Sequence, residues 1–171
     1  EIEINVGGGD YTFDNVTIEN SSMTLQPVEG EDVRFVHNGT STPFFNVSTV
    51  GNDVSGITIQ DVTMDFDEDP DATSGVNITG GTGSVDDINI DGVTFESVDS
   101  SAGTEAVVIN STVGGTDGVT ISDTTFDAAP DSDDAVRTAT AIKVTDASSS
   151  DLKLTVENSN FDGFAEGINV S

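Results

Sequence analysis

Apolar residues recur along this chain at alternate positions, in runs too short to form helices. The stretch GVNITGGTGSVDDINIDGVTF, Gly75–Phe95, contains three such runs: Val76/Ile78, Ile88/Ile90 and Val93/Phe95, separated by Gly, Ser and Asp. A period of two predicts β-strands that turn one face inward. The runs also repeat at long range. Phe45, Val76, Val107, Ile142 and Ile168 each open an apolar-x-apolar pair, at separations of 31, 31, 35 and 26 residues. Twelve residues after each of the first four stands a second pair: Ile57/Ile59, Ile88/Ile90, Val119/Ile121 and Leu154/Val156. Five residues beyond each second pair sits a large apolar residue, Met64, Phe95, Phe126 or Phe161. An earlier copy reads as Val16/Ile18 followed by Met23.

Two residues after the second pair stand Asn20, Asp61, Gly92, Asp123 and Asn158. Asn, Asp and Gly enter the left-handed backbone region most readily, so this column predicts a sharp bend from one strand into the next. Three short strands cannot bury an inner face alone, but parallel stacking of successive turns buries it and pairs the backbone along three ladders. The chain is therefore read as all-β, a right-handed parallel β-helix with three sheets and about five turns, in a single domain over 1–171. A β-sandwich also has short alternating strands, but it predicts neither the constant spacing nor the repeated bend. The terminal strands carry no amphipathic capping segment, so the reading expects a segment of a larger extracellular protein, or ends covered by neighbouring subunits.

The units GVTISDTTF and GITIQDVTM resemble pectate-lyase-like and NosD-type β-helix repeats, over about Val16 to Ser171. The Asn/Asp bend column is similar to the asparagine ladder of pectate lyases. The resemblance implies the solenoid fold and leaves function open, because such solenoids carry lyases, hydrolases, tailspikes, adhesins and surface-layer components.

Composition changes the setting. Thirty-two Asp and Glu face four basic residues, a net charge of −28. Such a balance ordinarily marks a disordered acidic chain, but the regular alternation argues for a folded one. Concentrated salt reconciles the two, because the Debye length falls to about 3 Å at 1 M. The acidity resembles that of proteins from extremely halophilic archaea, and with the repeat it implies a surface protein of such a cell or its virus. It also excludes nucleic acid as a partner, which requires a basic face. No apolar run reaches the roughly 20 residues of a membrane helix, so direct membrane insertion is not expected. The chain has no cysteine, hence no disulfide or thiolate metal site.

Candidate chemistry is sparse. In pectate-lyase-like enzymes, exterior acids on the first strand hold calcium and an Arg or Lys abstracts a proton. The corresponding outward positions here are Asn46, Asn77, Val108, Lys143 and Asn169, with no carboxylate among them. Lys143 and Arg137 are the catalytic candidates, read alternatively as charges that ease acidic repulsion. Among so many acids, pairs at glycosidase spacing carry no specificity. The single histidine, His37, reads as a surface residue. The acidic loops DFDEDPD and DAAPDSDD offer oxygen ligands suited to Ca²⁺, with Asp65, Asp67, Asp69, Asp71, Asp131 and Asp133 as candidates, though neither fits an EF-hand. Seven N-x-S/T triplets begin at Asn15, Asn20, Asn38, Asn46, Asn77, Asn110 and Asn169, the acceptor pattern for N-glycosylation. Together these features imply a non-catalytic structural or adhesive module of a halophilic cell surface, filament or virion, with self-association, neighbouring subunits or glycans as partners. The alternative is a carbohydrate-active β-helix acting on acidic polysaccharide, with Tyr11, Phe164 and the four basic residues as its exposed candidates.

Overall fold

The structure is a computed structural model that describes residues 2–13, 15–37, 41–48, 53–66, 73–80, 83–98, 104–110, 118–128, 139–145 and 152–171. Among the described residues, eighteen strands follow in threes. The first rung is β1 (Ile2–Val6), β2 (Gly9–Phe13) and β3 (Val16–Ile18). The second is β4 (Met23–Pro27), β5 (Val33–His37) and β6 (Pro43–Ser48), and the third β7 (Val54–Gln60), β8 (Thr63–Asp65) and β9 (Ser74–Thr79). The fourth is β10 (Val85–Asp91), β11 (Thr94–Val98) and β12 (Glu105–Asn110). Then come β13 (Val119–Ser122), β14 (Thr125–Ala128) and β15 (Thr140–Val144), and finally β16 (Leu154–Glu157), β17 (Asn160–Asp162) and β18 (Glu166–Val170).

Every third strand pairs in parallel, giving three six-stranded sheets: β1-β4-β7-β10-β13-β16, β2-β5-β8-β11-β14-β17 and β3-β6-β9-β12-β15-β18. The chain is a parallel β-solenoid of six rungs, one more than the sequence reading of about five. At about 4.8 Å per rung, the first and last lie about 24 Å apart.

Register turns the sequence pairs into internal columns. Phe45, Val76, Val107, Ile142 and Ile168 stack in the third sheet. Ile57, Ile88, Val119 and Leu154 stack in the first, and Met64, Phe95, Phe126 and Phe161 in the second. Each column places an apolar side chain over another one rung away, and the middle rungs lose all contact with water: Ile57, Ile88, Val119, Met64, Phe95 and Phe126 are fully buried. The rings of Phe95, Phe126 and Phe161 lie face to face, with centroids 5.1 and 4.8 Å apart and planes within 6° and 1°. The first two rungs meet differently, with Phe13, Phe35, Phe44 and Phe45 in edge-to-face contacts at 5.2–5.9 Å.

The corners use left-handed backbone. Asp61, Gly92, Asp123 and Asn158 have φ of 54°, 62°, 49° and 52° between the first and second sheets. Asn20 does not belong to this column. Val16 pairs with Phe45, so Val16–Ile18 lies in the third sheet, and Met23 pairs with Ile57 in the first. The partner of Met64 one rung below is Phe35, and below that Tyr11. A second left-handed column stands immediately before the first-sheet pairs: Ser22, Gly56, Asp87 and Gly118, with φ of 61°, 69°, 52° and 64°. His37 also departs from the expected surface position. It is the last inward residue of β5, buried against the Phe44 ring, and its Nε2 lies 2.9 Å from the Thr42 carbonyl oxygen, which makes Nε2 the protonated nitrogen.

Candidate functional site

The outward side chains form polar ladders that run from rung to rung. On the third sheet, Asn77 Nδ2 donates to Asn46 Oδ1 at 2.9 Å and to Thr79 Oγ1 at 2.9 Å. Asn110 Nδ2 donates to Asn77 Oδ1 at 3.1 Å and to Thr79 Oγ1 at 3.2 Å, and the Thr145 hydroxyl donates to Asn110 Oδ1. In-register strands put like residues one rung apart, so an amide can satisfy the next amide along the axis. On the first sheet, Gln60 Nε2 donates to Gln26 Oε1 at 2.9 Å, and Gln26 Nε2 donates to Asn5 Oδ1 at 2.9 Å and Glu3 Oε1 at 2.7 Å.

A groove of about 600 Å³ lies over these first-sheet amides, walled by the corner Val28–Asp32. Val28 N donates to Val6 O at 2.8 Å and Glu31 N to Val28 O at 2.9 Å, which closes a four-residue turn and fixes the wall. The groove presents Glu3, Glu29, Glu31, Asp32 and Asp61. Lys143, one of the two candidate catalytic groups, does not line it. Lys143 sits on β15, in the third sheet, where its Nζ pairs with Glu105 Oε1 at 2.7 Å. Arg137 lies outside the described residues. Tyr11 donates its hydroxyl to Gly7 O at 2.8 Å, and Phe164 packs half-buried against the core, so neither ring forms a platform in the groove.

Asp65, a candidate calcium ligand, is buried and forms an ion pair with the Arg34 guanidinium, whose Nε also lies 4.0 Å from Glu96 Oε2. Its other proposed partners, Asp67, Asp69, Asp71, Asp131 and Asp133, lie outside the described residues. Among the described residues, no group of three or more His, Asp or Glu side chains is placed to hold a metal ion.

The outward position after each second-sheet core residue carries an acid on four rungs. Glu96 stands in register with Asp65, and Asp162 with Asp127. Arg34 lies between the two acids of the first pair and offsets part of their repulsion; Asp127 and Asp162 are exposed acids one rung apart. Like charges directly opposite on paired strands destabilise by about 0.2–1 kcal/mol. Asp127→Asn is therefore expected to raise the unfolding temperature in dilute buffer and to have no effect in 1 M KCl. Thermal unfolding at both ionic strengths checks this, and an equal gain in both would remove the like-charge explanation.

The Asp53 carboxylate is held in its charged form by hydrogen bonds. The Ser84 backbone N–H at 2.8 Å and the Ser84 hydroxyl at 3.0 Å both donate to its Oδ1, holding the group below its ordinary 3.8. Hydrogen bonds to the anion favour the charged form. The folded value lies below the unfolded one, so this contribution is present above the unfolded value and lost as pH falls through the folded value. Asp53→Asn is expected to flatten the acid limb of stability below about pH 4, as read from unfolding midpoints against pH for both proteins.

The seven N-x-S/T asparagines separate by environment. Asn15 and Asn20 are exposed at either end of β3, and Asn38 lies outside the described residues. Asn46, Asn77 and Asn110 are half-buried within the third-sheet ladder, and Asn169 Nδ2 donates to Glu166 Oε2. Sequence reading missed the ladders and the second left-handed column. The second had a visible signal, because Gly56, Asp87 and Gly118 each directly precede an apolar pair. No protein-family model, curated protein or solved structure matches this chain.

Proposed function

We propose that this chain is a rigid, non-catalytic β-solenoid module of an extracellular structural or adhesive protein, at the surface of a halophilic archaeal cell, a filament or a virion. The observation that carries this reading is the exterior ladder. The side chains Asn46, Asn77, Asn110 and Thr145, with Asn5, Gln26 and Gln60 on another sheet, are linked by hydrogen bonds from rung to rung rather than converging on a reacting atom. Side-chain networks of this kind stiffen the molecule along its axis. The net charge of −28 supports a high-salt setting, where screening makes the compact state tolerable.

The second reading, a carbohydrate-active β-helix, draws on the groove over the first sheet. Its carboxylate wall repels the uronates of an acidic polysaccharide, and Lys143 lies on a different sheet, engaged by Glu105. Both points favour the structural role. The test is fractionation of the source material in concentrated KCl, followed by sizing of the native protein. Recovery in a surface, filament or particle fraction is the expected result. A protein confined to the cell interior would overturn the proposal, and turnover of a polysaccharide by the purified protein would establish the second reading instead.

A further inference from the structure

The geometry points to Asn15 and Asn20 as N-glycan acceptors, and to Asn77 and Asn110 as ladder amides that stay unmodified although they carry the same triplet. This inference rests on the extracellular reading above. The argument is a count of hydrogens. A primary amide nitrogen carries two, and each of Asn77 Nδ2 and Asn110 Nδ2 donates two bonds: to Asn46 Oδ1 and Thr79 Oγ1, and to Asn77 Oδ1 and Thr79 Oγ1. N-glycosylation joins the amide nitrogen to the anomeric carbon of a sugar. The C1–N bond forms, the C1–O bond of a lipid-phosphate-linked oligosaccharide donor breaks, and one amide proton leaves with the phosphate. The product nitrogen keeps a single hydrogen, so a glycan on Asn77 or Asn110 removes one ladder bond and sets a bulky group against half-buried neighbours on the adjacent rungs.

Asn15 and Asn20 lose nothing by the same reaction. Both are exposed, and among the described residues neither side chain makes a hydrogen bond. They lie in the short connections on either side of the three-residue strand β3, where the chain turns and both residues are exposed. The hydroxyl positions of their triplets are also described: Thr17 is exposed, and Ser22 occupies the left-handed corner at φ 61°. The nearby Ser21 hydroxyl, by contrast, is engaged across the rungs, accepting from Ser55 N at 3.1 Å. The glycans are thereby gathered at the two ends of β3, and the Asn77–Asn110 stretch of the third-sheet ladder remains bare.

Glycopeptide mass spectrometry of the protein isolated from its source in high salt tests this, together with the Asn15→Gln/Asn20→Gln double variant expressed in the same source. The expected result is sugar mass on peptides containing Asn15 or Asn20, unmodified Asn77 and Asn110, and loss of the sugar mass on the first-rung peptides of the double variant. Sugar on Asn77 or Asn110 overturns the inference. So does an unmodified chain recovered from a surface fraction, which leaves the extracellular reading standing. An unmodified chain found only inside the cell overturns both.

Discussion

Phe126→Ala is expected to destabilise the solenoid by about 3–5 kcal/mol, the range for truncating a large buried aromatic side chain. Three features put it at the upper end. Phe126 is fully buried, it stacks on rings both above and below, and its neighbours Phe95 and Phe161 are held at fixed height by strand pairing. A cavity left between two rungs cannot collapse unless the rungs move together, and the ladders on all three sheets resist that movement. Denaturant unfolding of both proteins in the same concentrated salt checks the magnitude. A loss below about 1 kcal/mol would mean that the column relaxes around the gap. Phe126→Leu, which keeps an apolar side chain in the column, is expected to recover a large part of the stability.

The second large effect is at a corner. Gly118 has φ 64°, and a methyl group there would overlap the Lys153 carbonyl oxygen of the next rung. That same oxygen accepts from Val119 N at 2.9 Å, while Gly118 O accepts from Ile88 N at 3.0 Å, so the corner cannot shift without disturbing pairing in both directions. Gly118→Ala combines left-handed strain of about 1–3 kcal/mol with displacement of the neighbouring backbone, and is expected to cost about 2–4 kcal/mol in total. Gly92→Asn is the informative companion. Gly92 has a similar φ of 62°, in a column that already holds Asp61, Asp123 and Asn158. The atom its Cβ would meet is Asp61 Oδ1, the end of a side chain that can rotate aside. Its expected change is within about 0.5 kcal/mol. Equal losses at Gly92 and Gly118 in unfolding experiments would show that conformation alone, and not the Lys153 backbone, sets the cost.

The middle of the solenoid was legible because its physics is repetitive. An inner column must be apolar at every rung, and rungs of equal length convert that demand into fixed spacings in sequence. Phe45 to Ile168 and Ile57 to Leu154 therefore declared their own register. The first two rungs obscured it through an arithmetic coincidence. From each later first-sheet pair to the core aromatic or Met is seven residues, as from Ile57 to Met64, and Val16 to Met23 is also seven. In the folded chain those seven residues lead from the third sheet into the first, and the corner Val28–Asp32 delays the true counterpart, Phe35. A long corner and a short one compensated each other in the spacing. His37 was misread for a related reason, because a polar residue at an inward position looks like an outward one until its carbonyl partner, Thr42, is placed. The exterior ladders were hidden more deeply. Asn46, Asn77 and Asn110 match an acceptor triplet in sequence, but only the register puts one amide over the next and reveals which donors are already committed.

The rule that each strand pairs only with the strand one rung before and one rung after governs how this chain acquires its structure. Among the described residues, the strand pairs are made across sequence separations of one rung, and no pairing joins the first rung directly to the sixth. Assembly can therefore begin wherever two adjacent rungs meet and extend by adding one rung at a time, as in a linear chain of coupled units. A rung emerging during synthesis finds its template in the rung just completed, without waiting for distant sequence. The loop closed at each addition stays about the same length, so the entropic cost of closure does not grow as the rod lengthens. Length then becomes a quantity that duplication of a rung can change without redesigning the fold.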